Sequence, residues 1–314
     1  MASTRQRSFR LFRFAGIDVF LNWSWFLVAI YEVQSRNGSY SSVAWNVFEY
    51  LALFVIVLMH EFGHALACRS VGGTADHIML WPFGGVAYVN PPQRPGATLW
   101  SLAAGPLVNV ALAPLLWAAV AVSGHLGWAT TMPDFDKLLQ SVLMIDISLL
   151  IFNLLPIYPL DGGQILRSLL WYVMGRGRSL MTATVLGFFG LAGFIGIAVW
   201  MRSIWLGAMA VYLAMNCWKG FRYAQALRKF EKLPRRAGFA CPSCHTAPPV
   251  GDYWRCGNCL QSFDTFATGG ACPHCESQFA VTRCLDCQEL RPMPEWGSQR
   301  YVAPAVASSS FETR

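Results

Sequence analysis

Residues 97–122 and 180–201 contain no charged side chain. Each run exceeds the roughly 20 residues that a helix needs to cross a hydrocarbon layer about 30 Å thick. Lipid offers no partner to backbone N–H and C=O groups, so runs of this kind must be helical. Composition agrees, with 54% of the 314 residues hydrophobic and 13% charged, against about 25% charged in soluble domains. Thirteen Trp and 21 Phe suit interfacial belts and lipid-facing packing. Residues 16–31, 43–71, 138–155 and 203–218 bring the expected spans to about six. Residues 78–89 are apolar but too short to cross, and Pro82, Gly84 and Gly85 interrupt them, so a re-entrant or interfacial loop is expected there. Residues 164–174 read as a short amphipathic helix.

The net charge of +7 sits mainly at the edges of this apolar body. Arg5, Arg7, Arg10 and Arg13 stand unopposed near the N-terminus. Lys219, Arg222, Arg228, Lys229, Lys232, Arg235 and Arg236 face only Glu231. Such flanks fit a membrane domain better than a nucleic-acid surface. Six spans place both termini on one side, where the connections hold Arg69, Arg94, Arg167, Arg176 and Arg178. The opposite connections hold Arg36, Lys137 and Arg202. The positive-inside rule therefore puts both termini in the cytoplasm. The long basic start, with no small-residue cleavage site after an apolar core, is not a cleavable signal peptide.

One expected span carries His60-Glu61-Phe62-Gly63-His64. Four residues apart on a helix, the two imidazoles share a face and can grip one Zn²⁺, with Glu61 beside them as a base. A catalytic zinc usually takes three protein ligands, so a third is required. His77 lies in the loop and His125 on the outer side. Asp146 lies inside a span but 15 residues before Asp161, roughly 22 Å along an ideal helix, too near the outer side. Asp161 is the better-placed ligand.

Three segments in this order and spacing carry a family resemblance: the His60–His64 motif, Gly105-Pro106-Leu107-Val108-Asn109, and Asn153-Leu-Leu-Pro156-Ile-Tyr-Pro159-Leu-Asp161-Gly162-Gly163. Together they resemble the site-2 proteases, intramembrane zinc metalloproteases that cut transmembrane substrates. The resemblance covers residues 20–220 and implies zinc on His60, His64 and Asp161, with Glu61 as general base. It implies that Asn153 holds substrate or the developing oxyanion. It also implies that the hairpin around Pro82, Phe83, Gly84 and Gly85 presents an extended substrate. Gly105, Pro106 and Asn109 are read as packing. The implied partners are membrane-anchored regulators or leftover signal peptides. Two other readings are a catalytically silent membrane scaffold and a transporter, the latter resting mainly on Asp146.

Eight of the ten cysteines form four pairs: Cys241/Cys244, Cys256/Cys259, Cys272/Cys275 and Cys284/Cys287. C-P-x-C followed by Arg-C-x-x-C occurs twice, with spacers of 11 and 8 residues. Two structural Cys₄ zinc sites resembling a double zinc ribbon are expected, with sequential and interleaved pairing both open. The cytoplasmic side disfavours disulfides. Residues 239–290 hold only Arg255 and Arg283 as bases against five acids, which argues against nucleic acid and for regulatory protein docking. The expected organisation is a basic tail at 1–15, an all-α polytopic membrane domain with a re-entrant hairpin loop at 16–220, and a basic linker at 221–239. A small zinc-ribbon domain at 240–290 and a disordered tail at 291–314 complete it. Three zinc ions in all are implied, one catalytic and two structural.

Overall fold

The long apolar runs fold as helices in the computed structural model, which describes residues 8–35, 38–81 and 84–297. The chain opens with β1 (Ser8–Phe14) and β2 (Ile17–Asn22), then α1 (Ser24–Ser35) and α2 (Val43–Ser70). A hairpin of β3 (Thr74–Trp81) and β4 (Gly84–Asn90) follows, then α3 (Pro95–His125) and the short α4 (Trp128–Thr131). The helices α5 (Pro133–Leu154), α6 (Asp161–Met174), α7 (Arg176–Trp200) and α8 (Ile204–Glu231) complete this part. Contacts divide the chain between Arg228 and Lys229 into two units.

Among the described residues four helices, α2, α3, α5 and α7, are long and apolar enough to cross a membrane. Their 22 to 31 residues correspond to about 33–46 Å. Leu115, Trp117, Met144 and Ile151 are exposed on α3 and α5. In water such faces would drive aggregation, whereas in a bilayer they meet lipid. The expected sixth span lies inside α8, where Asn216 and Lys219 shorten the apolar run.

The first expected span departs from this pattern. Residues 16–31 form β2 and part of α1, and the 12 residues of α1 reach only about 18 Å. Ile17, Val19 and Leu21 are buried while Asp18 and Phe20 between them are half-buried, the alternation of a strand. Ala15 and Gly16, at φ 48° and 74°, close the β1–β2 hairpin with the two-residue positive-φ turn that matches strand twist. Asp18 then pairs with Arg10 on β1 at 3.1 Å.

The expected re-entrant loop is the β3–β4 hairpin of a four-stranded sheet ordered β1-β2-β3-β4. Pro82 and Phe83 lie outside the described residues. β2 and β3 pair in parallel through the crossover made by α1 and α2, and the other pairs are antiparallel. Ile17, Val19, Ile78 and Leu80 of the sheet pack with Val57 and Ala65 of α2. Full burial of each such side chain is worth about 1.5–3 kcal/mol, so this face fixes the sheet against the helix that carries His60 and His64. Arg69, in the last turn of α2, donates to the carbonyls of Ala15, Gly16 and Ala75, tying the helix end to both hairpins.

The second unit holds two small hairpins, β5 (Trp254–Arg255) with β6 (Ser262–Phe263) and β7 (Val281–Arg283) with β8 (Leu290–Pro292). Trp254, Phe266 and Trp296 form its core beside Cys241 and Cys284. Arg235 and Arg236 of the basic block pair here with Asp286 and Asp264. The expected disordered tail begins too early, since Arg291 and Pro292 belong to β8 and Met293 and Trp296 are buried in the ribbon core; residues 1–7 and 298–314 lie outside the described residues.

Candidate metal centres

His60 and His64 face α3 from the C-terminal half of α2. The Nδ1–H of His64 donates to the Ser101 carbonyl at 2.8 Å, and the Nδ1–H of His60 to Asn109 Oδ1 at 2.6 Å. With both protons on Nδ1, both Nε2 atoms present lone pairs. These nitrogens are 3.1 Å apart, and Asp161 Oδ2 lies 3.0 Å from the first and 3.3 Å from the second. Three acceptors converging this closely repel one another unless a cation or a shared proton lies among them. Ligands about 2.0–2.1 Å from a tetrahedral zinc are themselves about 3.3–3.4 Å apart. The donor set and its spacing fit zinc.

The fold explains how the three meet. Asp161 opens α6, where a carboxylate complements the positive helix end. Gly162 and Gly163 let that first turn lie directly on the backbone of residues 154–158, where a Cβ would overlap carbonyl atoms. Gly105 on α3 faces both imidazoles so closely that a Cβ would overlap His60 and His64. On the other side, Glu61 Oε2 accepts the Ala87 N–H of β4 at 2.8 Å. Gly85 brings the same strand against the Glu61 carboxylate, leaving no room for a Cβ.

These groups border a cavity of about 470 Å³, within the usual range for ligand sites. Its walls bring Gly84, Gly85 and Asn153 to His60, Glu61, His64 and Asp161, and add Tyr212 and Asn216 from α8. The two α8 residues gave no sequence signal, because nothing in a single apolar helix says which neighbour it meets. His77 is not a ligand: it stands on β3 with its ring stacked on Tyr88 at 4.2 Å.

Asn109 corrects the packing assignment. It bonds His60 directly, and its Nδ2 donates to Asp146 Oδ1 at 2.6 Å. Asp146 is outside the ligand set but one side chain removed from it, which takes away its value as a mark of transport. The available signal was the spacing Gly105 to Asn109, four residues like His60 to His64, within a charge-free run. Two helices with polar or small residues at that interval can face each other.

The eight cysteines form two groups, Cys241/Cys244/Cys284/Cys287 and Cys256/Cys259/Cys272/Cys275. The pairing is therefore neither of the two expected, sequential or interleaved, but nested, with the outer pairs enclosing the inner. Each site takes one C-P-x-C and one Arg-C-x-x-C segment. Sulfur separations across the pairs are 3.6–3.7 Å, close to the roughly 3.8 Å between thiolates about 2.3 Å from a tetrahedral zinc. Nesting makes a specific prediction. Cys284→Ser is expected to release one zinc and expose Cys241, Cys244 and Cys287 to a thiol-alkylating reagent, while the inner four stay protected. Peptide mapping reads the outcome, and alkylation of Cys272 and Cys275 instead would mean sequential pairing.

The fold and these centres define a polytopic integral membrane zinc protein with two Cys₄ ribbons. Peptidase family M50 matches at residues 48–133 and 127–197. A zinc metalloprotease of Methanocaldococcus jannaschii is 31% identical over 187 residues, covering 57% of this chain and 50% of its own. The stage IV sporulation protein FB of Bacillus subtilis is 29% identical over 178 residues, covering 55% and 58%. The chain thus spans between half and three fifths of these relatives' length. The solved site-2 protease from Methanocaldococcus jannaschii aligns at 25% identity and a TM-score of 0.49, covering 68% of this chain and 95% of that one. The chain belongs to peptidase family M50, the site-2 protease family.

Proposed function

We propose that the membrane unit hydrolyses peptide bonds of membrane-anchored proteins, as an intramembrane zinc metalloprotease with Glu61 as its base. The observation that carries this reading is the Glu61 carboxylate beside the three converging acceptors, bordered by an edge strand. His60, His64 and Asp161 would hold the zinc, which on binding supplies Lewis acidity towards the scissile carbonyl and the attacking water. Glu61 takes a proton from that water and returns it to the leaving amine. The Ala87 N–H holds the carboxylate towards the cavity.

A peptide bond inside a membrane helix is shielded by the helix's own hydrogen bonds, so substrate must unwind before attack. Among the described residues β4 pairs with β3 on one side only. Its other edge can take an extended segment as an added strand, with Gly84 and Gly85 offering no side chain to obstruct it. Asn153, on the cavity wall, is placed to bind the substrate backbone or the developing oxyanion. In this reading residues 16–220 form the protease body. Residues 240–290 form a ribbon domain for regulatory protein docking rather than nucleic-acid binding. Both termini lie in the cytoplasm.

The test is cleavage of a transmembrane reporter by the purified chain in liposomes. Chelation is expected to abolish cleavage and zinc to restore it, with His60→Ala inactive throughout. Cleavage that persists after zinc removal and in His60→Ala would overturn the assignment.

A further inference from the structure

We propose that Asp146 and Asn109 form a positioning pair that selects the metal-binding tautomer of His60. The inference deepens the zinc reading above and rests on it. Asp146 and Asn109 are both 0% exposed, on α5 and α3, and neither belongs to the ligand set. A buried acid in a membrane span is energetically expensive and calls for a reason. Among the described residues Asp146 Oδ2 has no hydrogen-bond partner, so whatever Asp146 does passes through its other oxygen. That oxygen accepts Asn109 Nδ2.

The two histidines differ in how their tautomers are set. His64 donates to the backbone carbonyl of Ser101, which is fixed in the helix and can only accept. His60 faces a side-chain amide, and an amide can turn over, exchanging its oxygen for its NH₂. Turned over, it would present donors to His60 Nδ1 and favour the tautomer with its proton on Nε2. That tautomer points an N–H at the centre of the site and cannot bind a cation. A carboxylate next to Asn109 removes the choice. At 2.6 Å it accepts from the NH₂, whereas a reversed amide would set oxygen against oxygen. The Asn109 oxygen is thereby committed to His60, the His60 proton to Nδ1, and the Nε2 lone pair to the metal. Ordering of a ligand histidine by such outer contacts is typically worth 10- to 100-fold in metal affinity.

The experiment measures zinc affinity of the full chain by competition with a chromophoric chelator, the two ribbon metals serving as an internal control. Asp146→Leu is expected to weaken the membrane site by about 10- to 100-fold and leave the ribbon zincs bound. Asn109→Leu is expected to do the same. Because Asp146 acts through Asn109, the double variant is expected to be no weaker than Asn109→Leu alone. Asp146→Asn, which can still accept from Asn109 but no longer must, is expected to fall between the parent and Asp146→Leu. Thermal melting of zinc-free Asp146→Asn, which keeps the hydrogen bond to Asn109, is expected to match the parent, which separates positioning from folding. Parental affinity in Asp146→Leu, or losses that add in the double variant, would overturn the proposal. A parent chain that binds only its two ribbon metals would instead overturn the zinc reading itself.

Discussion

Glu61→Gln is expected to lower cleavage of a transmembrane reporter by about 10²- to 10⁴-fold, the usual contribution of a positioned general base. Zinc content should stay at the parental value, because Glu61 is not among the converging acceptors. The substitution keeps the side chain's length. It also keeps an oxygen for the Ala87 N–H, so the link between α2 and β4 survives. What goes is the capacity to take a proton from water. The loss should therefore fall on kcat, with KM for the reporter little changed. Metal analysis and single-turnover cleavage on the same liposomes read both quantities. A variant that keeps more than a tenth of the parental rate would remove Glu61 from the chemistry. The inactive, zinc-loaded variant also offers a trap: membrane proteins that co-purify with it are candidate substrates.

How far the sequence carried the fold can be seen element by element. Charge-free runs such as residues 97–122 read directly as helices, because lipid leaves the backbone one local solution. His60 and His64 were legible because helical periodicity alone sets them on one face. Asp161 needed more than periodicity, since it reaches the site only through the tight return of residues 155–160 between α5 and α6. The sheet was hidden for a different reason. Residues 16–31 are apolar enough to suggest a span, and their alternation of buried and half-buried side chains becomes decisive only once β3 is found beside β2. Pairing between residues 59 positions apart leaves no mark in either segment. Asn109 and Asp146 were each visible as polar residues in apolar runs, yet their contact depends on how α3 and α5 pack. The cysteine spacing showed two Cys₄ sites but not their nesting, because spacers of 11, 12 and 8 residues are each long enough to close a site and nothing in them marks that only the 12-residue one does.

Gly105→Ala is expected to empty the membrane metal site while leaving the protein folded. Two effects compete, and their sizes decide between them. Alanine is favoured over glycine in a helix interior by about 1 kcal/mol, so on propensity alone the substitution would stabilise α3. The Cβ, however, would overlap His64 Nε2 and Cε1 and crowd His60 Nε2. The imidazoles cannot retreat freely, since His64 is held by Ser101 and His60 by Asn109, both on the helix that carries the new methyl group. Relief must come from breaking those bonds or from separating α2 and α3. Small-to-large changes in a packed interior typically cost about 1–3 kcal/mol. That is enough to offset the gain in propensity, but not to unfold a body built on long apolar helices. The ligand triad needs its three acceptors within a few tenths of an ångström. Zinc affinity should therefore fall by more than 100-fold (about 2.7 kcal/mol), and cleavage with it, while the helical circular dichroism signal and the two ribbon metals remain. Parental zinc content in Gly105→Ala would show that α3 does not form the wall of the metal site.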